Sequence, residues 1–311
     1  MNLTTINTRI RSDVVAFMTE CDAQYEGQIA ETADKIAANL ENSHLAFLAG
    51  PSASGKTTTA KMLELALRKR GIGTHVISMD SYFLPENQTK HLRNEVGDRD
   101  YESPYCLDLP LLREHYRSLS QGEEVLVPYF DFKMSRRNPD KEKALQLVRD
   151  EIAIYEGIHA LNPNLYEQCV AKSFKLYIST QTDMMYDGQV LLDHTLLRLI
   201  RRVVRDNHFR GTGIAETLHM WDGVRRGELR YISPYKGLAD YQFDTALGYE
   251  VAALKPFALS LFEDWEAEDI LRKSDYDKVL AALPMFEGID ENVVAKSSLL
   301  REFIGGGDLK Y

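Results

Sequence analysis

Long apolar runs are missing from the 311-residue chain. None approaches the ~18 residues of a membrane-spanning helix, and the longest candidate, 251–262, is interrupted by Lys255 and Pro256. The first twenty residues hold no unbroken apolar core, so no signal peptide is read. Cysteine is scarce as well. Cys21, Cys106 and Cys169 are odd in number and far apart, which argues against a disulfide framework and against a four-cysteine zinc site. Positive charge is in deficit: 37 Lys+Arg against 47 Asp+Glu give a net charge of −10. Phosphate backbones attract clustered cations, so neither bulk nucleic-acid binding nor a membrane partner is expected. Repeats and low-complexity stretches are also absent. These exclusions leave a soluble, reduced, cytoplasmic protein, and a homo-oligomer stays open. With 44% hydrophobic residues the chain can build a core. The acidic stretch 263–269 reads as solvated surface and the cysteines as packing.

Residues 9–41 read as helix, because Tyr25, Ile29, Ala33, Ile36 and Leu40 recur at steps of three or four. The period then changes. Short apolar runs at 44–49, 74–79, 151–155 and 174–178 have strand length. Helical stretches are expected at 56–70, ended by Gly71 and Gly73, and near 109–118, 191–207 and 214–227. Strands alternating with helices imply a parallel sheet covered on both faces, an α/β fold.

Between the first strand and the next helix lies Gly50-Pro51-Ser52-Ala53-Ser54-Gly55-Lys56-Thr57, which fits G-x-x-x-x-G-K-[ST]. Glycines let the backbone curl so that its N–H groups face one point, and the helix that follows aims its positive dipole end there too. Lys56 would reach the β/γ-phosphates of a nucleotide, and the Thr57 hydroxyl would bind Mg²⁺. The alternation and this loop together predict a P-loop NTPase three-layer fold, to which the arginine cluster described next adds a helical lid. No guanine-selective Asn-Lys-x-Asp follows, which argues against a GTPase.

Two acidic residues fall at strand ends, where open α/β sheets bind ligands: Asp80 after the second strand and Glu156 after the 151–155 run. Either alone reads as a turn former. Beside a phosphate loop, Asp80 suits a general base and Glu156 suits Mg²⁺. Residues 194–230 hold eight arginines and no lysine. Arg198, Arg201, Arg202 and Arg205 are spaced to share a helix face, and two glycines at 211 and 213 follow. A basic helix with a glycine hinge reads as a lid over phosphates, since arginine binds phosphate oxygens bidentately. A salt-bridged surface helix and an RNA-binding face are the other readings.

Together these residues resemble the uridine kinase / phosphoribulokinase family of P-loop kinases. The likeness is carried by GPSASGKTT, MDSYF, RDYESPYCLDL, VPYFDF, IYEGIHALNP and LRLIRRVVRDNHFRG. FDFK, EGIHALNP, RDNHFRG and the closing SLLREFIGGG are most similar to a long bacterial subgroup of that family. Long members carry an N-terminal region resembling part of threonyl-tRNA synthetase, which this chain is expected to lack. The resemblance implies three parts: a helical extension at 1–43 packed on the core, a kinase domain at 44–265 with its lid near 198–230, and a helical tail at 266–311.

The resemblance also implies ATP and Mg²⁺ as cofactors. It makes Asp80 the catalytic base, assisted by Lys56 and by Arg201 of the lid. ATP would be bound by Gly50 through Thr57, by Thr58, and by Arg198, Arg202 and Arg205. Mg²⁺ would go to Thr57 and Glu156. The acceptor would meet Asp80, Phe83, Tyr101, Glu102, Phe130, Asp131 and Phe132. Two departures stand out: Tyr82-Phe83 reverses the aromatics of the well-studied uridine kinases, and Phe130 stands where they have Tyr. The implied activity is phosphorylation of a small-molecule hydroxyl, the 5′-OH of a pyrimidine nucleoside foremost. A sugar phosphate or pantothenate-like acceptor and a nucleotide-gated regulatory protein are the alternatives.

Overall fold

All five residues of Leu45–Ala49 (β1) are apolar and all are buried. Only a central strand covered on both faces accommodates such a segment. The computed structural model describes residues 1–94, 97, 99–167, 170, 172–263 and 273–309. In it, β1 is the middle of a five-stranded sheet with Gly73–Ser78 (β2), Glu151–Glu156 (β3), Phe174–Ser179 (β4) and Tyr241–Asp244 (β5). The spatial order is β5-β4-β1-β3-β2 and every pairing is parallel. The four strands expected from the sequence lie within a residue of their predicted ends. β5 carries no apolar run long enough to announce it.

Strand side chains alternate between two cores. Ala46, Leu48, Ile152, Ile154, Leu176 and Ile178 face one core. Its cover is helix α1 (Leu3–Asn39), α2 (Lys56–Arg68), α4 (His194–Arg205) and α6 (Glu250–Glu263). Phe47, Ala153, Tyr155 and Tyr177 face the other core, under α3 (Leu109–Ser120). The predicted helix at 9–41 starts earlier, at Leu3, because the Asn2 side chain caps it by accepting from Thr5 N; it bends at Asp13. The predicted helix at 191–207 starts later. The Asp193 carboxylate accepts from Thr195 N and Leu196 N and sets the start of α4, while 189–192 pair as a strand. After α5 (Ile214–Gly227), the tail contributes α7 (Lys273–Ala282) and the single turn α8 (Arg301–Ile304).

Tyr25 Oη on α1 pairs with Thr59 Oγ1 on α2 at 2.7 Å. Tyr249 Oη donates to Asp22 of α1 and also pairs with Ser298 of the tail. The two chain ends are therefore knitted into the core beside the sheet. Cys21 and Cys106 are free thiols. Cys169 and positions 264–269 of the acidic stretch lie outside the described residues. Among the described residues, no helix is long and apolar enough to cross a membrane.

Candidate active site

Three strands end side by side at the carboxyl edge of the sheet. Register places Glu156 of β3 level with Leu48 of β1 and Ser78 of β2. β1 therefore delivers residues 50–55, β2 delivers Asp80 and β3 delivers Glu156 to one crevice, where open parallel sheets reverse their strand order.

The loop after β1 is held in an unusual curl. Ala53 has φ +59° and Gly55 has φ +88°. A side-chain-bearing residue in the left-handed region is uncommon, and such strain collects at ligand-binding loops. A Cβ at Gly55 would lie 2.6 Å from Leu299 Cδ1, so the tail closes over that glycine. Donors reach the loop's carbonyls from α4 and the β5–α6 connection. Arg198 Nη1 donates to Ser52 O (3.2 Å), Arg201 Nη1 to Ala53 O (3.4 Å) and Thr245 Oγ1 to Ser54 O (2.8 Å).

Arg198, Arg201, Arg202 and Arg205 do share one face of α4, as their spacing predicts. That face packs on the loop. Arg201 is fully buried; its Nη2 donates to Glu250 Oε2 (2.6 Å) and to Thr245 O (2.7 Å). Arg198 is buried against Glu228 at 2.7 Å. Neither reaches the cavity described below, so the expectation that both face phosphates is not met by their positions. Arg202 Nη1 donates to Ser52 Oγ (2.7 Å) and, with Arg205, lines the cavity. Arg210, just beyond α4, joins them there.

The cavity measures about 410 Å³. Lys56, Thr57, Asp80 and Glu156 line its sheet end, and Phe83, Tyr101, Glu102, Phe130 and Phe132 its outer end. Phe130 is buried, 5.9 Å from the Phe83 ring and 4.9 Å from the Phe132 ring, so the three rings form one apolar wall. Asp131 is not part of the lining. Its Oδ1 accepts from Lys133 N and Met134 N and shapes the turn that carries Phe132. Gly50, Pro51 and Ser54 lie beneath the loop's lining residues, and Lys56 Nζ donates back to Pro51 O (3.1 Å). Thr58 is buried; its N–H and hydroxyl donate to Glu302 Oε2 at 3.2 and 2.5 Å.

Burial governs the charges. Asp80 opens onto the cavity, yet the surrounding protein pushes its pKa up, partly offset by Lys56. Desolvation pushes Glu156 and Glu102 up to about 7 each, against the pull of Lys56 on Glu156 and of Arg202 on Glu102. Lys56 is pushed down by burial and pulled back by Glu156 and Asp80. Hard oxygen donors from Thr57 and Glu156 suit a small divalent cation that keeps its other ligands as water and phosphate oxygens. Glu102 Oε2 and both ring nitrogens of His159 are shielded from water without a well-formed hydrogen bond. Burial pushes the His159 pKa down to about 3, leaving a neutral ring.

Glu302, Arg210 and His159 were not assigned to a site from the sequence. Arg210 could have been, as a member of the arginine cluster. Glu302 lies within the closing SLLREFIGGG, but its partner Thr58 is 244 residues away, so the stretch by itself gave it no role.

The Arg201–Glu250 pair predicts a separation of roles. Arg201→Ala leaves a buried carboxylate unpaired and should cost about 3–5 kcal/mol in urea denaturation. Arg205→Ala should change stability by less than about 1 kcal/mol, because Asp206 keeps Arg202 and Arg210. An unchanged urea midpoint for Arg201→Ala would remove its role as a brace.

Comparison with known proteins points the same way. Residues 46–251 match the sequence model described as "Phosphoribulokinase / Uridine kinase family", a span containing every residue named in the cavity lining except Glu302. A uridine kinase from Brevibacillus brevis is 30% identical over 202 residues, which is 65% of this chain and 84% of that protein. Uridine-cytidine kinase-like 1 of Mus musculus is 29% identical over 206 residues, 66% of this chain and 34% of the mouse protein. A Silicibacter protein solved as a candidate fructose transport system kinase superposes with a TM-score of 0.52 at 18% identity, covering 69% of this chain and 98% of its own; that likeness concerns the fold. The chain belongs to the phosphoribulokinase / uridine kinase family, whose members are phosphotransferases acting on an alcohol group.

Proposed function

We propose that the protein transfers the γ-phosphoryl group of ATP to the 5′-hydroxyl of a pyrimidine nucleoside. One observation carries this reading: Asp80 faces the same cavity as Lys56, and the aromatic wall of Phe83, Phe130 and Phe132 lies beside it. A phosphate-holding loop, a carboxylate and a flat apolar surface then stand in line for a triphosphate, a hydroxyl and a base. The relatives named uridine kinase support the same acceptor class.

The raised pKa of Asp80 makes it a better proton acceptor than an unperturbed aspartate. It takes the proton of the acceptor hydroxyl as the oxygen attacks the γ-phosphorus. Lys56, Arg205 and Arg210 face the transferring group and offset its charge in a water-poor site. Thr57 and Glu156 would hold Mg²⁺, which when bound supplies further charge neutralisation. Glu102, whose Oε2 is shielded without a well-formed hydrogen bond, and the neutral His159 would read the sugar hydroxyls or the edge of the base.

Asp80→Asn keeps the shape and removes the base, so kcat should fall ~10²–10⁴-fold with ATP affinity retained. A fall of less than about threefold would make Asp80 a turn former. The assay is ADP release with ATP and Mg²⁺ across uridine, cytidine, sugar alcohols and pantothenate; turnover with a non-nucleoside alone would retire the nucleoside reading.

Glu102 provides a pH signature. Below about 7 it is protonated, and above it becomes a carboxylate that accepts hydrogen bonds from sugar hydroxyls. The acceptor KM should therefore fall as pH rises through about 7. Glu102→Gln should raise KM and erase that step; a KM profile unchanged by the substitution would exclude Glu102 from acceptor binding.

Phe130 offers a ring without a hydroxyl. Phe130→Tyr should shift the ratio of kcat/KM for uridine and cytidine by roughly tenfold, about one hydrogen bond. An unmoved ratio in competition kinetics would leave Phe130 as packing.

A further inference from the structure

Gly227 is buried at the end of α5. Its φ and ψ are −59° and −42°, ordinary helical values that any residue adopts. Glycine in such backbone is less favourable than alanine, so conformational freedom does not account for it. Space does. A Cβ at Gly227 would lie 2.6 Å from Glu102 Cγ and 3.6 Å from its Cα, and closer still to Glu102 Cβ. Those atoms are the stem of the glutamate side chain and its attachment to the backbone, with no free end to swing aside. Gly223, one turn earlier in the same helix, differs: a Cβ there would meet Asn94 Nδ2 at 3.9 Å, an ordinary contact.

Both sides of the Gly227–Glu102 contact are held. On the glycine side, the next residue, Glu228, is buried and accepts from Arg198 Nη2 (2.7 Å) and from Arg225. Arg198 also donates to Ser52 O of the phosphate loop (3.2 Å), so one guanidinium ties the end of α5 to that loop. On the glutamate side, Asp100 Oδ1 accepts from Glu102 N (3.2 Å), and Asp100 Oδ2 accepts from Tyr231 Oη (3.2 Å). Tyr231 lies in the turn directly after α5. Residues 227–231 therefore grip residues 100–102 twice, through the bare backbone of Gly227 and through the Tyr231 hydroxyl. Glu102 itself lines the cavity, its Oε2 shielded without a well-formed hydrogen bond.

We propose that Gly227 is a positioning residue for the acceptor: its missing side chain lets Glu102 seat against α5 with the carboxylate offered to the acceptor end of the cavity. Arg198 and Glu228 fix that seat relative to the phosphate loop. The inference rests on the acceptor role given to Glu102 above and adds what holds the carboxylate in place. Arg198, which does not reach the cavity, becomes a brace common to the donor loop and the acceptor carboxylate.

The test is steady-state kinetics of the full chain with uridine and ATP-Mg²⁺, with ATP affinity measured by calorimetry and folding checked by circular dichroism. Gly227→Ala should raise the uridine KM about tenfold or more, the worth of a hydrogen bond to a charged group, while kcat and ATP affinity stay within about threefold. Gly223→Ala, the same change where a Cβ has room, should leave the KM unmoved. Tyr231→Phe, which takes the hydroxyl from Asp100, should raise the KM in the same direction, and it decides the matter if Gly227→Ala does not fold. In a Glu102→Gln background Gly227→Ala should add no further rise, because the contact it displaces is already lost. A KM unmoved by Gly227→Ala, or by Tyr231→Phe where the glycine variant does not fold, overturns the positioning role and leaves Glu102 as an acceptor contact. Parallel losses in KM, kcat and ATP affinity, a full further rise in the Glu102→Gln background, or an equal rise for Gly223→Ala overturn it as well. If Glu102→Gln itself leaves the KM unmoved, or wild type does not turn over uridine, the acceptor reading fails and the positioning role fails with it.

Discussion

The curl of residues 50–55 depends on what lies behind it. Three consecutive carbonyls, those of Ser52, Ala53 and Ser54, accept hydrogen bonds from Arg198, Arg201 and Thr245. With these carbonyls held from behind, and Ser54 N donating to Pro51 O, the peptide planes of the loop are fixed, since buried peptide groups need partners. The buried Arg201–Glu250 pair anchors this support, because Arg201 also donates to the Thr245 carbonyl. α4 and α6 are therefore joined through the loop they brace. A buried pair of this kind is weak evidence for stability in itself; what it does here is hold the Arg201 guanidinium against Ala53 O and Thr245 O.

The same low-polarity setting governs the chemistry. Asp80, Glu102 and Glu156 converge on one cavity with Lys56, Arg202, Arg205 and Arg210. Desolvation by the surrounding protein raises the three carboxylates' affinity for protons, at Asp80 although it opens onto the cavity, and the cations pull it back only in part. Such opposed pressures are characteristic of sites that handle charge during a reaction. The cavity's polar half lies toward the sheet and its aromatic half away from it, so one end suits phosphate and the other a flat acceptor.

The ends of the chain are part of this arrangement. α1 locks onto α2 through Tyr25 and Thr59, and Asp22, Tyr249 and Ser298 join α1, α6 and the tail. The tail then returns to the phosphate loop, where Glu302 accepts from Thr58 and Leu299 abuts Gly55. The tail therefore packs against the start of α2 and the turn before it.

Much of the fold was legible because the signals are local. Apolar runs of strand length, a glycine-rich turn before a helix, and carboxylates at strand ends are each encoded within a few neighbouring residues, and they located β1 to β4, the loop, Asp80 and Glu156. The arginine face was legible only in part. Spacing of three and four residues determines that Arg198, Arg201, Arg202 and Arg205 share a face, but what covers that face depends on α6 and the loop, distant in sequence. Tertiary packing buried two of them as braces and left Arg202 and Arg205 at the cavity. Glu302 stands in the quoted closing stretch SLLREFIGGG, yet its role was not legible there, since its partner Thr58 lies 244 residues away. The sequence by itself determined the elements and the strand-end chemistry, because those follow from local periodicity and backbone geometry. Which charged groups face the ligand and which only hold the loop was decided by the tertiary structure, because burial and ion pairing arise only when separate elements pack together.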